Sequence, residues 1–240
     1  MRSAEQEYPG TQVLVHLADA STLRTELRQG ATADVLVAAD MATIDAARMD
    51  GIVDGAPIVF AHHRLAMVVA SDNPTVAVLQ DLARPGLRLV AELDSVSAGA
   101  AARQALTILS ADPSFGAGFA DTVLSNVVFQ EKDVKAVLAR LQSGDADAAL
   151  MYVADTSTST PGALKVVGMP GPDPPFSSLQ WHSNELGTLV SDAFTVVDDC
   201  PAALVNGAPD PEGATAFIAY LESSAGRERL HGAGLVPLVS

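Results

Sequence analysis

The sequence is short of the residues that most often announce a chemistry: one cysteine (Cys200), one tryptophan, and aromatic side chains at only 5%. A lone thiol closes no internal disulfide and has no second thiol for a structural zinc site, which argues against redox chemistry and zinc ribbons. Basic side chains are scarce too, 14 against 29 acidic ones, for a formal charge of -15. Such a surface repels nucleic acid and anionic lipid, so no nucleic-acid partner is expected and any bound anion has to be held locally. No apolar run approaches the roughly 20 residues of a membrane span, so the chain is not expected to cross a bilayer. GxSxG, HExxH, CxxC, P-loop and GxGxxG signatures are all missing, which weakens hydrolase, metalloprotease, redox, NTPase and dinucleotide readings together. The first ten residues (MRSAEQEYPG) lack the apolar core of a secretory signal, so no targeting segment is expected in this chain.

What is present is a core. With 240 residues, 48% of them apolar and 18% charged, the chain can build two lobes of roughly 100 residues each. Short apolar runs alternate with segments of helical period, the pattern of an α/β protein with a mostly parallel sheet flanked by helices. Strands are expected at residues 13–17 (VLVHL), 35–38, 64–70 (RLAMVVA), 87–91, 126–129 and 148–153 (AALMYV). Most are continuous rather than alternating runs, as in strands buried on both faces. Asp133 reads as the N-cap of a helix carrying Val134, Val137, Leu138 and Leu141 at i, i+3, i+4 and i+7 and stopping at Gly144. A second helix is expected over 21–29, capped by Asp19 or Ser21, and a third around Ala214, Phe217, Ile218 and Leu221. The segment 170–175 (PGPDPP) and the aperiodic stretch to residue 184 read as a surface excursion.

Several polar residues carry two readings. His62 and His63 are adjacent and point to opposite sides of a strand, which favours a surface or hinge role over metal binding. Asp198, Asp199 and Cys200 could suggest a nucleophile, yet neighbouring carboxylates raise a thiol's pKa and quiet it. Tyr152 ends an apolar strand just before Asp155; on its own it reads as a core-edge tyrosine with its hydroxyl in water.

Four blocks together resemble the periplasmic molybdate-binding proteins of the type II solute-binding fold: residues 21–40 (STLRTELRQGATADVLVAAD), 95–106 (SVSAGAAARQAL), 131–156 (EKDVKAVLARLQSGDADAALMYVADT) and 209–238 (PDPEGATAFIAYLESSAGRERLHGAGLVPL). The resemblance implies an ABC-importer component that is not an enzyme, extracytoplasmic and monomeric. It would need no cofactor, would bind molybdate or tungstate as a tetrahedral oxyanion between two lobes, and would work with a membrane permease. It further implies lobes formed by residues 1–64 with 198–240 and by 65–197, joined by crossing segments at 64–70 and 193–205. The ligand set it implies is backbone N–H from Ala98 and Val134, the hydroxyl of Tyr152, and the loop at Ala20 and Ser21; no residue is expected to bind a metal directly. A helix start offers unpaired N–H donors and partial positive charge, so an acidic protein can hold a dianion without lysine or arginine.

The sequence departs from the resemblance at two points. The family's opening strand and serine-bearing loop have no counterpart here, and alanine stands where the second ligand serine aligns, beside Asp19. If Asp19 faces the ligand it opposes an anion; if it caps the following helix it does not. Three rival readings follow: an oxyanion-sensing effector domain, a truncated homologue that no longer binds, and a small-molecule enzyme using Tyr152, Asp155 and a histidine.

Overall fold

The computed structural model describes residues 13–160, 162–167, 181–183, 189–191 and 196–238. In chain order its elements are α1 (Ala20–Arg28), β1 (Val35–Val37), α2 (Met41–Met49), β2 (Ile58–Ala70), β3 (Leu89–Glu92), α3 (Ser97–Ala111), α4 (Phe119–Ser125), β4 (Val127–Glu131), α5 (Val134–Gln142), β5 (Ala148–Tyr152), β6 (Leu164–Val167), β7 (Trp181–Ser183), β8 (Leu189–Ser191), β9 (Val196–Leu204), α6 (Pro211–Glu222), α7 (Ser224–Gly232) and β10 (Val236–Pro237). Two short 3₁₀ segments, Leu79–Ala83 and Val153–Thr158, lie among them. The described residues divide into two compact units, one from Met1–Phe60 with Cys200–Gly226, the other from Ala61–Asp199 with Arg227–Ser240. By compactness Arg227–Ser240 groups with the second unit.

In the first unit β1 pairs antiparallel with the end of β9, Leu36 opposite Ala203. Leu36, Ile44, Ala47, Ile52, Val53 and Ala203 form its core, with Leu23 and Leu27 of α1 packed on it. Capping fixes both helices. Asp40 accepts from Thr43 N–H at 2.7 Å to start α2. Asp19 accepts from Thr22 N–H at 2.9 Å, and its other oxygen accepts from the Thr22 hydroxyl at 2.6 Å. The Ser21 hydroxyl, which also donates to Asp19, and the two Thr22 bonds together hold the Asp19 carboxyl well below the usual carboxylate range. The Asp19 side chain is thus committed to capping α1. Arg24 reaches Asp50 at 2.5 Å and ties α1 to the end of α2.

The strand expected at residues 13–17 does not form: these residues precede α1 outside any strand, with Leu14 and Leu17 85% and 87% exposed. An apolar run makes a strand only when a neighbouring strand takes up its backbone groups; among the described residues this run is tied to α1 by the His16 side chain, which meets Glu26 at 2.8 Å.

The second unit is built on β3. It pairs in parallel with β4 on one side and β5 on the other. β2 then joins β5 antiparallel, Leu65 opposite Tyr152 and Val68 opposite Ala149. Alternate residues of each strand serve opposite faces. Leu89, Met67, Val69 and Ala148 pack with Leu106 and Leu109 of α3 and with Phe119 and Val123 of α4. Val90, Val68, Ala149 and Met151 pack instead with Val137, Leu138 and Leu141 of α5. This two-sided burial explains the continuous apolar runs read in the sequence. α5 begins where expected, Asp133 accepting from Ala136 N–H at 3.0 Å, and stops at Gly144 with φ +75°, a left-handed turn that glycine adopts without steric penalty.

The PGPDPP segment lies outside the described residues; within the excursion that follows, Trp181–Ser183 forms β7, paired antiparallel with β8. Among the described residues no helix is long and apolar enough to cross a membrane.

Candidate functional site

Because β3, β4 and β5 are parallel neighbours, whatever follows each of them gathers at one end of the second unit's sheet. α3 follows β3, α5 follows β4, and Tyr152 closes β5. The two helices lie on opposite faces of the sheet, as their separate packing partners show. Ala98, Val134 and Tyr152 therefore converge on the carboxyl ends of three adjacent strands.

The start of α3 is built for close approach. Its N-cap is Val96, which supplies no side-chain hydrogen bond, and the N–H groups at the start of a helix have no carbonyl one turn back within the helix. Ala98 is only 2% exposed and packs with Tyr152, Leu65 and three alanines of α3. The turn can settle this deeply because residue 99 is glycine: a Cβ there would stand 2.6 Å from the Glu92 carbonyl oxygen and collide with that of Leu93. At α5 the Asp133 side chain takes up the N–H of Ala136, two positions beyond Val134. The Val134 N–H, at the first helical position, has no carbonyl one turn back to bond to.

Tyr152 is buried, and the expectation that its hydroxyl sits in water is corrected: it donates to Asp198 Oδ2 at 3.0 Å. The cause is the return of the chain through β9, which no local pattern around residue 152 could reveal. The ring of His63 stacks on Tyr152 with centroids 4.6 Å apart, while His62 is buried with Nδ1 3.0 Å from Asp199 Oδ1. The two histidines thus serve different neighbours. Cys200 is buried and its thiol points at the Ala38 carbonyl, 3.6 Å away, so the thiol sits in the first unit's packing. Among the described residues no group of three His, Cys, Asp or Glu side chains is arranged to hold a metal ion.

Ala20 and Ser21 lie in the other unit, as the first two residues of α1. The Ser21 hydroxyl donates to Asp19 Oδ1 at 2.6 Å.

Two carboxyl groups that the sequence reading did not select as site residues in their own right define the electrostatics. Glu92 ends β3, is 3% exposed, and its Oε1 has no hydrogen-bond partner. Burial first, then the charges of Asp155 and Asp133, push it up to about 7. Asp155, in the 3₁₀ segment after β5, is pushed up to about 6 by burial. The available signal for Glu92 was a single acid closing an otherwise apolar run immediately before the SVSAG block. A cleft bordered by α3, α4 and β3 is lined by the aliphatic Leu89, Leu106, Val123, Leu124, Val127 and Leu150 together with Glu92, Asp94, Arg103 and Gln130.

Comparison with known proteins extends this geometry. Residues 2–236 match the family described as bacterial extracellular solute-binding protein. The molybdate-binding protein ModA of Mycobacterium tuberculosis is 32% identical over 227 residues, covering 94% of this chain and 74% of that protein; ModA of Mycobacterium bovis gives the same figures. Among solved structures, the periplasmic molybdate-binding protein of Azotobacter vinelandii superposes with a TM-score of 0.67 at 18% identity, over 98% of this chain and 91% of that one. The sulfate-binding protein SubI of Mycobacterium tuberculosis gives 0.71 at 17% identity, over 98% and 79%. At those identities the structural likeness speaks for the fold.

Proposed function

Since this chain belongs to the bacterial extracellular solute-binding proteins, we propose that it is the oxyanion-binding component of an ABC importer, taking molybdate or tungstate outside the cytoplasm and presenting it to a membrane permease. The observation that carries the reading is the convergence of two helix starts and a tyrosine at the ends of β3, β4 and β5, in a chain 32% identical to molybdate-binding proteins. In this reading Ala98 and Val134 donate backbone N–H and Tyr152 donates its hydroxyl. Donors of this kind suit a dianion in a protein of charge -15, because they place positive charge at the ligand without adding a titrating cation. The protein acts by binding, as a monomer and without a cofactor or a catalytic step.

Turning over to an acceptor-bound state requires Tyr152 to exchange Asp198 for the ligand.

The direct test is Val134→Pro. Proline is favoured at the first position of a helix, where its missing N–H would make no intrahelical bond, and the preceding Asp133 already has the extended backbone (φ -144°, ψ 151°) that a following proline demands. The variant therefore deletes the proposed donor with little cost to the fold. Calorimetric titration with molybdate should show binding weakened about tenfold to a hundredfold, the range for a hydrogen bond to a charged group. Equal affinity in the two proteins would remove Val134 from the ligand set, and no binding of molybdate, tungstate or sulfate by the unaltered protein would overturn the reading itself.

A further inference from the structure

Among the described residues Glu92 is the one buried acid at the end of the sheet where the helix starts gather, and its Oε1 has no hydrogen-bond partner among them. Strand alternation gives its direction: Val90, two residues earlier, packs with Val137, Leu138 and Leu141 of α5, so Glu92 faces the same helix, nearer its start. The charged groups around it are mostly acidic. Asp133 caps α5 and Asp155 stands in the 3₁₀ segment, and both charges act on Glu92. Glu131, opposite Glu92 in the β3–β4 register, is engaged by Arg140 at 3.0 Å. Arg140 is shared with Asp145 and lies over the Phe129 ring. On the α3 side Asp94 and Arg103 pair with each other. Lys132 and Lys135 are exposed, and Tyr152 gives its hydroxyl to Asp198. Among the described residues no cation pairs with Glu92.

A second negative charge brought to this place meets an unscreened buried carboxylate. Coulomb repulsion scales with the ligand's charge, so a dianion is opposed twice as strongly as a monoanion of the same shape. Adding one proton to Glu92 removes the conflict and turns the carboxyl into a potential donor. On the reading of this site as an oxyanion receptor, we propose that Glu92 is a specificity-determining residue, which takes up one proton with each dianion bound and thereby couples dianion affinity to pH.

The direction follows from linkage. Free Glu92 titrates near about 7, and a bound dianion raises that value further. Below about 7 the proton is already in place and affinity is flat; above it each pH unit weakens dianion binding, by at most tenfold for one proton. Asp155 titrates about one pH unit lower, at about 6, so Glu92→Gln is the variant that separates the two groups above pH 7.

Molybdate is the probe, with perrhenate as a tetrahedral monoanion of similar shape, titrated between pH 6 and 9. Molybdate affinity of the unaltered protein should be level to about pH 7 and then fall severalfold per pH unit, with perrhenate falling less steeply. Calorimetry at pH 8 in buffers of different ionisation heat should show uptake approaching one proton per molybdate. Glu92→Gln should lose most of the fall in molybdate affinity above pH 7 and take up correspondingly less proton at pH 8. Binding by the unaltered protein that is independent of pH above 7, or that takes up no proton at pH 8, overturns the role of Glu92 while leaving the oxyanion reading intact. A Glu92→Gln protein that keeps the unaltered slope also overturns it. The calorimetric result on the unaltered protein decides the matter even if the variant fails to fold. If the unaltered protein binds no oxyanion at any pH, the receptor reading falls and this proposal with it.

Discussion

Gly99→Ala probes the contact on which the start of α3 depends. The new methyl would lie 2.6 Å from the Glu92 carbonyl oxygen and closer still to that of Leu93. Both obstacles are backbone at the end of β3, a central strand, so neither can swing aside as a flexible side chain would. The helix start has to lift by most of an ångström. Overpacking of this kind costs about 1–3 kcal/mol, and at about 2–4 °C per kcal/mol for a chain of this size the melting temperature should fall by about 2–12 °C. The lift also carries the Ala98 N–H away from its present position. Misplacing a donor to a charged ligand by that much should weaken molybdate binding by about tenfold or more. Thermal unfolding followed by circular dichroism, with and without molybdate, measures both effects, since ligand bound to the folded state stabilises it by an amount that grows with the logarithm of affinity. Gly118→Ala is the control: its φ of -94° suits any residue and its Cβ would meet open space, so stability should change by no more than about 0.5 kcal/mol. A Gly99→Ala protein that melts and binds like the control would refute the claim that α3 rests on the Glu92–Leu93 backbone.

Glu92 should also leave its mark on stability without any ligand. Its folded-state value of about 7 stands above the ordinary 4.5, so the folded protein holds this proton more firmly than the unfolded chain; stability is then highest below 4.5 and declines as pH rises to about 7. At 1.36 kcal/mol per pH unit the decline is about 3 kcal/mol, and urea unfolding of Glu92→Gln, measured against the unaltered protein at pH 5 and pH 8, should show the variant relatively more stable at pH 8. A variant whose stability tracks the unaltered protein at both pH values would contradict the assignment. Tyr152→Phe should weaken molybdate binding by up to about 3 kcal/mol while leaving Asp198 without its hydroxyl donor; titration calorimetry reads the first effect and thermal unfolding the second, and an affinity equal to that of the unaltered protein would confine Tyr152 to the Asp198 bond seen here.

Local patterns carried far because many of the decisive interactions are local. The Asp133 cap, the i, i+3, i+4, i+7 stripe and Gly144 specify α5 within a dozen residues, and the structure forms that helix from Val134 to Gln142. The continuous apolar runs at β3 and β5 announced strands buried on both faces, since a strand with one wet face would alternate. Asp19 was legible only as a pair of alternatives, and backbone geometry selected the cap. Residues 13–17 show the limit: VLVHL has a strand's composition, but whether it pairs depends on a partner elsewhere in the chain. Composition and the SVSAG and EKDVKAVLARL blocks determined the α/β class and pointed to the solute-binding family, because helix caps, periodicity and family motifs are written in consecutive residues. That Glu92 loses its water and its partners, that Tyr152 finds Asp198 46 positions away, and that Gly99 must be bare for α3 to reach the β3 backbone were decided by tertiary structure, since burial, long-range pairing and close approach are properties of segments brought together only on folding.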